Sequence, residues 1–278
     1  MDGCAELTPA HRRQRRRGTG GAHDQTRRPR AVRTIPAGAL LTLLASVLVV
    51  APAGATPSPA AEHPAVFRNG TWFLRPALSS GPSTAFTFGR AGDRPVMGDW
   101  DGDGDDTVGV FRDGTWFLRN ANSSGNSFSF QFGLPGDVPV AGDWNGDGID
   151  TVGVFRDGTW FQRNANSSGP SSSFRFGLAG DRPVAGDWDG DGDDTPGLTR
   201  GNQWFFRNAN STGPSGYNFF GVAGDLPVPG DWDRDGDDTP GVFRDGVWYY
   251  RNAISASVVH SFRFGLAGDL PAVWSTSL

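Results

Sequence analysis

Short runs of alternating apolar and polar residues, bounded by turn residues, recur along the chain from about residue 64. In one such stretch the alternation predicts strands over 139–144, 151–156, 159–164 and 172–176. Asp157-Gly158, between the second and third runs, is typical of a two-residue hairpin turn, because both residues accept a positive φ. The pattern therefore predicts groups of four short antiparallel strands.

This group of strands is repeated with a period of 44 residues. The repeat is marked by Gly-Asp-Trp beginning at Gly98, Gly142, Gly186 and Gly230, and by Trp72, Trp116, Trp160, Trp204 and Trp248. Four strands in about 44 residues match the size of one β-propeller blade. One sheet alone cannot bury aromatic residues on both faces, so the blades have to pack against one another around an axis. The sequence predicts an all-β fold, a five-bladed β-propeller of four-stranded blades.

The two ends of the repeat region are complementary. The first repeat begins with its second strand, at 65–68, whereas the chain ends with a first-strand pattern at 271–274. We therefore expect the C-terminal strand to pair with the N-terminal blade and close the ring. Trp274 lies two residues before the position set by the repeat, a shift that keeps its side chain on the same face of the strand. The alternative is an open array of blades, part of a larger propeller.

The first 55 residues have the features of a secretory signal. A basic stretch over 12–33 precedes an apolar run over 37–50, and Ala53-Gly54-Ala55 fits the small-residue pattern of a cleavage site. We predict a signal peptide over 1–55, a linker over 56–63 and the propeller over 64–278, in a secreted protein. A membrane anchor is the alternative, but about 15 apolar residues are fewer than the ~20 that span a bilayer. We expect no membrane span in the mature chain.

Charge and cysteine content narrow the choice of partner. Nine of the 25 arginines lie before residue 34 and three of the 30 acidic residues lie before residue 56, which leaves 16 arginines, 27 acidic residues and a net charge of −11 over 56–278. Such acidity disfavours nucleic acid, whose phosphates bind clustered cations, and suits a multivalent cation. Cys4 is the only cysteine and falls in the predicted signal, so we expect no disulfide in the mature domain.

The repeated loop after Gly-Asp-Trp has the residue pattern of a calcium site. In Asp99 to Thr107, carboxylates occupy loop positions 1, 3 and 5 and glycine occupies position 6, which provides hard oxygen ligands on alternate residues and a sharp bend. The loop recurs at 143–151, 187–195 and 231–239, so up to four Ca²⁺ ions are predicted. The candidate ligands are Asp99, Asp101, Asp103, Asp105, Asp106, Asp143, Asn145, Asp147, Ile149, Asp150, Asp187, Asp189, Asp191, Asp193, Asp194, Asp231, Asp233, Asp235, Asp237 and Asp238.

Two details separate this loop from an EF-hand. Ile149 at position 7 has no side-chain oxygen, so a ligand there has to be the backbone carbonyl. Position 12 carries Val or Leu, where an EF-hand has a bidentate Glu. The alternative to a metal site is a set of Asp/Gly turns whose carboxylates accept hydrogen bonds from backbone amides. In the calcium interpretation, the ions stabilise the domain in place of disulfides.

The motifs together resemble a known repeat family. Phe176-Gly177, Ala179-Gly180-Asp181 and the stretch from Gly186 to Gly192 are similar to the FG-GAP or VCBS repeats of secreted bacterial proteins and to the propeller of integrin α chains. The resemblance covers about 64–278. It implies a propeller in which the hairpin between the first and second strands holds calcium and the first strand is innermost.

Two departures from that family pattern leave questions open. The family usually has Asp at loop position 9, whereas this chain has Asp at position 8 and Thr107, Thr151, Thr195 or Thr239 at position 9. Either position is therefore a candidate ligand. Integrin-type propellers also have seven blades, while this sequence predicts five.

The arginines of the third strand have two interpretations. They are Arg75, Arg119, Arg163, Arg207 and Arg251, each three residues after the repeated tryptophan. In the first interpretation, Trp and Phe fill the space between blades and Arg pairs with the repeated aspartates Asp93, Asp137, Asp181, Asp225 and Asp269. In the second, Arg and the preceding aromatic residue form five equivalent carbohydrate pockets, which would act with avidity.

The sequence offers no recognisable catalytic constellation. Residues 56–278 contain only His63 and His260, Glu62 is their only Glu, and nearly all other carboxylates lie in repeated turns and loops. We therefore expect a monomeric, non-catalytic binding or adhesion module, not an enzyme. Its expected ligand is calcium, and its expected partner is a glycan or a cell-surface protein. The alternatives are a multivalent, lectin-like carbohydrate-binding propeller and a hydrolase or lyase sited at the rim.

Overall fold

The computed structural model describes residues 62–277, which form an all-β unit. Over these residues there are twenty strands in five four-stranded antiparallel sheets. The same part of the chain contains no helix that could cross a membrane. The predicted signal peptide and all but the last two residues of the predicted linker lie outside the described residues.

The strands are short and follow the repeat. In chain order they are β1 (His63–Arg68), β2 (Thr71–Leu74), β3 (Thr84–Thr87), β4 (Arg94–Gly98), β5 (Thr107–Arg112), β6 (Thr115–Leu118), β7 (Phe128–Gln131), β8 (Val138–Gly142), β9 (Thr151–Arg156), β10 (Thr159–Gln162), β11 (Ser172–Arg175), β12 (Arg182–Gly186), β13 (Thr195–Arg200), β14 (Gln203–Phe206), β15 (Gly216–Phe219), β16 (Leu226–Pro227), β17 (Gly241–Arg244), β18 (Val247–Tyr250), β19 (His260–Arg263) and β20 (Leu270–Trp274).

Four blades are consecutive meanders, and the remaining blade joins the two ends of the described chain. The meanders are β4 to β7, β8 to β11, β12 to β15 and β16 to β19, and the mixed blade has the order β20-β1-β2-β3. The first strands of neighbouring blades contact one another, as β4 contacts β8 and β20 contacts β4, so the first strand of each blade is innermost. The predicted five-bladed β-propeller is confirmed.

Ring closure also follows the prediction. β20 pairs antiparallel with β1 from Phe67↔Leu270 to His63↔Trp274. Trp274 packs against the cluster that contains Ala65, Phe67 and Trp72, the face on which its two-residue shift would place it. β1 begins at His63, one residue before the predicted start of the propeller. The alternative of an open array is therefore wrong.

The tight hairpins form where the turn residues predicted them. Asp157 and Gly158 join β9 to β10 with φ values of 49° and 81°, the left-handed conformation that a two-residue hairpin of this kind requires. The β9 bounds agree with the predicted 151–156, whereas the other three strands of this blade are shorter than their patterns. β8 also begins one residue before its pattern, and residues 143–144, 163–164 and 176 lie beyond the strand ends.

The repeated tryptophans of the third strands form the centre of the packing between blades. Trp72, Trp116, Trp160, Trp204 and Trp248 are at most 1% exposed. Each indole Nε1 donates to a backbone carbonyl 16 residues later, as Trp116 does to Phe132 at 2.9 Å. Trp116 and Leu118 share one cluster with Val152 and Val154 of the next blade. Truncating such a residue typically costs about 3–5 kcal/mol.

The repeated aspartates before the first strands pair with arginines, but not with the arginines that the sequence suggested. Asp93 receives Arg112 Nε and Nη2 at 2.6 and 2.7 Å, and it also accepts the Arg90 amide at 2.9 Å. The other four ion pairs are Arg68–Asp269, Arg156–Asp137, Arg200–Asp181 and Arg244–Asp225. The arginines therefore end the second strand, and pairing with the third-strand arginines was wrong.

The third-strand arginines instead cover aromatic rings of the preceding blade. Arg119 lies 4.2 Å from the ring centroid of Phe88, and Arg163 lies 4.1 Å from that of Phe132. Their Nη1 atoms donate to carbonyls of the following loop, such as Arg163 to Ser167 at 2.7 Å. The hydrophobic pattern could not assign the aspartate partners, because both sets of arginines recur with the same period.

We predict that Asp93→Ala lowers the free energy of unfolding by about 2–3 kcal/mol, since it leaves the Arg112 guanidinium and the Arg90 amide without their acceptor. Urea denaturation measures the change. Arg90→Ala is the control, because this exposed side chain lies 3.9 Å from Asp93 and should contribute less than about 0.5 kcal/mol. Equal losses in the two variants would contradict the structural role assigned to the bidentate pair.

Candidate metal centre

The four acidic loops lie at the inner hairpins, between the first and second strands of their blades. They connect β4 to β5, β8 to β9, β12 to β13 and β16 to β17. The innermost strands and the hairpin geometry therefore place every loop at the same end of the ring. The sequence predicted this position.

The carboxylate at loop position 1 organises the backbone of its own loop. Asp99 Oδ1 accepts the Gly102 amide at 2.7 Å and the Asp103 amide at 3.2 Å, and its Oδ2 accepts the Gly104 amide at 2.7 Å. Gly104, at position 6, has a φ of 87°, which explains the glycine there. Asp143, Asp187 and Asp231 make the corresponding contacts. The same hydrogen bonds define the Asp/Gly turn, which was the alternative to a metal site.

Positions 1, 3 and 5 converge in three of the loops. In the sets Asp99–Asp101–Asp103, Asp187–Asp189–Asp191 and Asp231–Asp233–Asp235, one carboxylate oxygen from each residue lies within 4.8 Å of the others. In the remaining loop, Asn145 donates to Asp147 Oδ2 at 2.9 Å. Because position 3 is an amide in this loop, the loop has one carboxylate fewer, and the amide donates to the carboxylate at position 5.

The donor set of these clusters fits a hard cation. Each carboxylate oxygen has two lone pairs, so position 1 is able to accept backbone amides and still offer an oxygen to a metal. Carboxylates at positions 3 and 5 are exposed and remain accessible. Oxygen-only donors of this kind are the ligands that Ca²⁺ takes in proteins. The turn and the metal interpretations are therefore compatible in the same loop.

Position 7 behaves differently from one loop to the next. Asp105 Oδ1 accepts the amide and hydroxyl of Ser277 at 2.7 and 2.8 Å. Burial, followed by the charges of the loop carboxylates, raises the pKa of Asp193 and of Asp237 to about 6. Ile149 contributes no side-chain oxygen, as its sequence implied. Position 7 thus carries a carboxylate in the three loops that contain clusters and none in the loop of Ile149.

The aspartates at position 8 do not join the clusters of their own loops. Asp150 Oδ2 accepts the Asp99 amide of the neighbouring blade at 2.9 Å, and the Asp150 amide donates to the Asp99 carbonyl at 2.8 Å. Asp194 makes the same pair of bonds with Asp143, Asp238 with Asp187, and Asp106 with Ser275. We call this reciprocal pair the interblade clasp. Asp106, Asp150, Asp194 and Asp238 therefore hold neighbouring blades together.

The glycine of Gly-Asp-Trp makes room for the clasp. A Cβ on Gly98 would lie 2.7 Å from Asp150 Oδ2 and 3.0 Å from the Trp100 ring. The threonines at position 9 are buried, and Thr151 Oγ1 donates to the Arg163 carbonyl at 2.7 Å. In this structure neither position 8 nor position 9 lies with the carboxylates of positions 1, 3 and 5.

Burial changes the acidity of the clasp residues. It raises the pKa of Asp194 to about 7 and that of Asp106 to about 6. Burial, followed by the charges of other aspartates, also holds the pKa values of Asp150 and Asp238 well above the usual range. Each of these groups accepts a backbone hydrogen bond that acts in the opposite direction, so loss of hydration is the larger effect.

Sequence reasoning missed one member of this set. Glu62 stands 44 residues before Asp106 and so occupies loop position 8 of the blade that β20 completes. Its side chain meets Gly230 of the preceding blade, as Asp150 meets Gly98. The 44-residue period would have identified Glu62, but no Gly-Asp-Trp motif precedes Glu62 to mark an acidic loop there.

Neither a family model nor a curated protein matches this chain. The similarity to FG-GAP and VCBS repeats therefore stays a prediction made from the motifs.

We predict that the metal-free protein becomes less stable as the pH rises from 5 to 8. A carboxyl whose pKa is raised by folding, such as Asp194 at about 7, stabilises the folded state fully below the unfolded pKa near 4 and loses that contribution as the pH rises through its folded pKa. Melting in the presence of a chelator should therefore give a midpoint several degrees higher at pH 5.

Asp194→Asn should reduce this dependence on pH, since asparagine keeps an acceptor for the Asp143 amide and does not titrate. Asp245→Asn, in a hairpin turn remote from the loops, is the control and should keep the wild-type slope. A slope that Asp194→Asn leaves unchanged would show that the carboxyl of Asp194 does not control the effect.

Proposed function

We propose that this protein is an exported, calcium-stabilised propeller that acts as a non-catalytic binding or adhesion module. The observation that supports it best is the convergence of positions 1, 3 and 5 in three inner hairpins, with oxygens within 4.8 Å of one another. Several such clusters in equivalent positions are more than a single acidic turn would require. Bound ions would stabilise these loops, because they would neutralise carboxylates that otherwise repel one another.

Export is supported by the sequence and by the chemistry of the loops. The pattern over 1–55 is that of a secretory signal, and residues 56–278 contain no cysteine. Extracellular calcium modules typically bind with dissociation constants of about 10⁻⁴ to 10⁻³ M, which fits millimolar calcium outside the cell. The resemblance to repeats of secreted bacterial proteins points the same way.

A binding role is supported by a set of exposed aliphatic side chains at equivalent positions. Leu134, Leu178, Val222 and Leu266 follow the Phe-Gly motif of four blades and are at least 50% exposed. Because the blades are equivalent, these side chains lie at the same end of the ring, close to the second-strand arginines. Repeated apolar contacts of this kind are suited to a protein partner bound through several weak contacts.

The non-catalytic part of the proposal is supported by where the titratable groups lie. His63 packs against the Trp274 ring at a centroid distance of 5.2 Å, and His260 stacks on Tyr250 at the same distance. The repeated aspartates are engaged in ion pairs, loops and clasps. The Ser277 hydroxyl donates to Asp105 at 2.8 Å, but this pair is exposed and includes no histidine.

The geometry does not favour the carbohydrate alternative. The third-strand tryptophans are buried, and the third-strand arginines cover aromatic rings between blades, so these residues do not form the five open pockets that the hypothesis required. Binding of wild-type protein on a glycan array, abolished by chelator, would restore that alternative.

We predict that calcium raises the melting midpoint. At tenfold above its dissociation constant, each site adds about 1.4 kcal/mol, so four sites add about 6 kcal/mol. For a domain of this size that corresponds to roughly 10–20 °C. Equal melting midpoints with 1 mM calcium and with chelator would refute the proposed stabilisation by calcium.

Asp189→Ala separates metal binding from loop folding, because it removes the position 3 oxygen that an asparagine, such as Asn145 in the second loop, would keep. Asp189 accepts a hydrogen bond from Asn208, whereas Asp187 closes the backbone of the loop, so the position 3 variant should leave the metal-free midpoint nearly unchanged. We expect it to reduce the calcium-induced shift by about one quarter, the share of one site in four. Asp157→Asn removes one charge in a hairpin turn that tolerates asparagine, and should keep the full shift. An equal reduction in both variants would indicate a general charge effect.

A further inference from the structure

A cavity on the propeller axis is lined by one carboxylate from each blade. It has a volume of about 330 Å³ and lies among the innermost strands. Its carboxylates are those of Glu62, Asp106, Asp150, Asp194 and Asp238, at intervals of 44 residues. We call them the axial carboxylates. The repeat thus brings five equivalent acidic groups to one space.

No cationic side chain of the described residues lines this cavity. Its other lining residues are mostly proline and aliphatic, such as Met97 and Ala141, with Ser275 as the one hydroxyl. Burial, followed by the charges of Asp238 and Asp106, holds the pKa of Glu62 well above its usual range. The charges of the axial carboxylates therefore have to be neutralised by protons or by a cation from solvent.

Glu62 gives a second, independent indication of a ligand. Each of the four aspartates uses Oδ2 to accept an amide of the neighbouring blade, which leaves its other oxygen for the cavity. Glu62 Oε2 is buried and has no hydrogen-bond partner among residues 62–277. A buried acceptor without a donor costs about 1–3 kcal/mol, more when it is charged. Such an oxygen is suited to a metal ion.

We propose that the axial carboxylates bind one hard divalent cation, at a site distinct from the clusters of loop positions 1, 3 and 5. Calcium takes six to eight oxygen ligands, a number that five carboxylates and a few waters supply. The cavity is about ten times the ~30 Å³ that one water occupies in the liquid, so the ion keeps part of its hydration shell. Each loop cluster lies in one hairpin, whereas an axial ion contacts all five blades.

Counting bound calcium tests this proposal, because Glu62 belongs to none of the four acidic loops. The full-length chain is dialysed to equilibrium against calcium as the only divalent cation, and the ions bound per chain are measured for wild type, Glu62→Gln and Asp101→Ala. Asp101 lies in a loop cluster and serves as the matched control. We expect each single variant to lose one bound ion and the double variant to lose two. Circular dichroism verifies folding, and Asp150→Asn, which keeps an acceptor for the Asp99 amide, replaces Glu62→Gln if the latter does not fold.

The outcomes distinguish this inference from the proposed function. If Asp101→Ala loses one ion and Glu62→Gln loses none, the loops bind calcium and the axial site is refuted, its carboxylates being neutralised by protons. If Glu62→Gln alone loses an ion, the axial site stands and the loop proposal fails. Wild-type protein that binds no calcium would overturn both.

Discussion

The rest of the structure depends on the interblade clasp. Four of the five junctions between blades carry a clasp, which sets the distance and angle at which the inner end of one blade meets the next. The reciprocal bonds between Asp99 and Asp150 supply that geometry, because a backbone amide and carbonyl at one end meet a carboxylate and an amide at the other. The glycine at Gly98 is required for the same reason, since any side chain there would occupy the place of the Asp150 carboxylate.

The clasp buries carboxylates that have no basic partner, and this has an electrostatic cost that the rest of the blade does not have. At the opposite end of the first strands, Asp93 and its equivalents lie against arginine, so acid and base are matched there. On the axial side the carboxylates converge with no arginine or histidine among the residues lining the cavity. The carboxylates at one end of the ring are therefore paired with arginine, and the other end, at the inner hairpins, is acidic. The cations that we propose for that end would offset the repulsion that ring closure creates.

Much of this architecture could be predicted from the sequence, because the period of 44 and the complementary ends determine blade number and closure. The hairpin at Asp157-Gly158 and the bounds of β9 also follow from local patterns. The partner of Asp93 could not be predicted, since Arg112 and Arg119 recur with identical spacing and only the register of the strands distinguishes them. Position 8 was assigned to its own loop for a similar reason: one sequence does not reveal which of two adjacent blades a side chain contacts. Glu62 was overlooked because its repeat lacks the preceding motif.

The pairing of β1 with β20 has a consequence for biosynthesis. Arg68 and its partner Asp269 are 201 residues apart in the chain. At a translation rate of roughly 5–20 residues per second, the edge of β1 waits on the order of 10–40 s before the strand that covers it has been made. During that interval the nascent chain exposes an unpaired sheet edge of the kind that recruits other strands. The blade whose synthesis begins first is therefore the last to be completed.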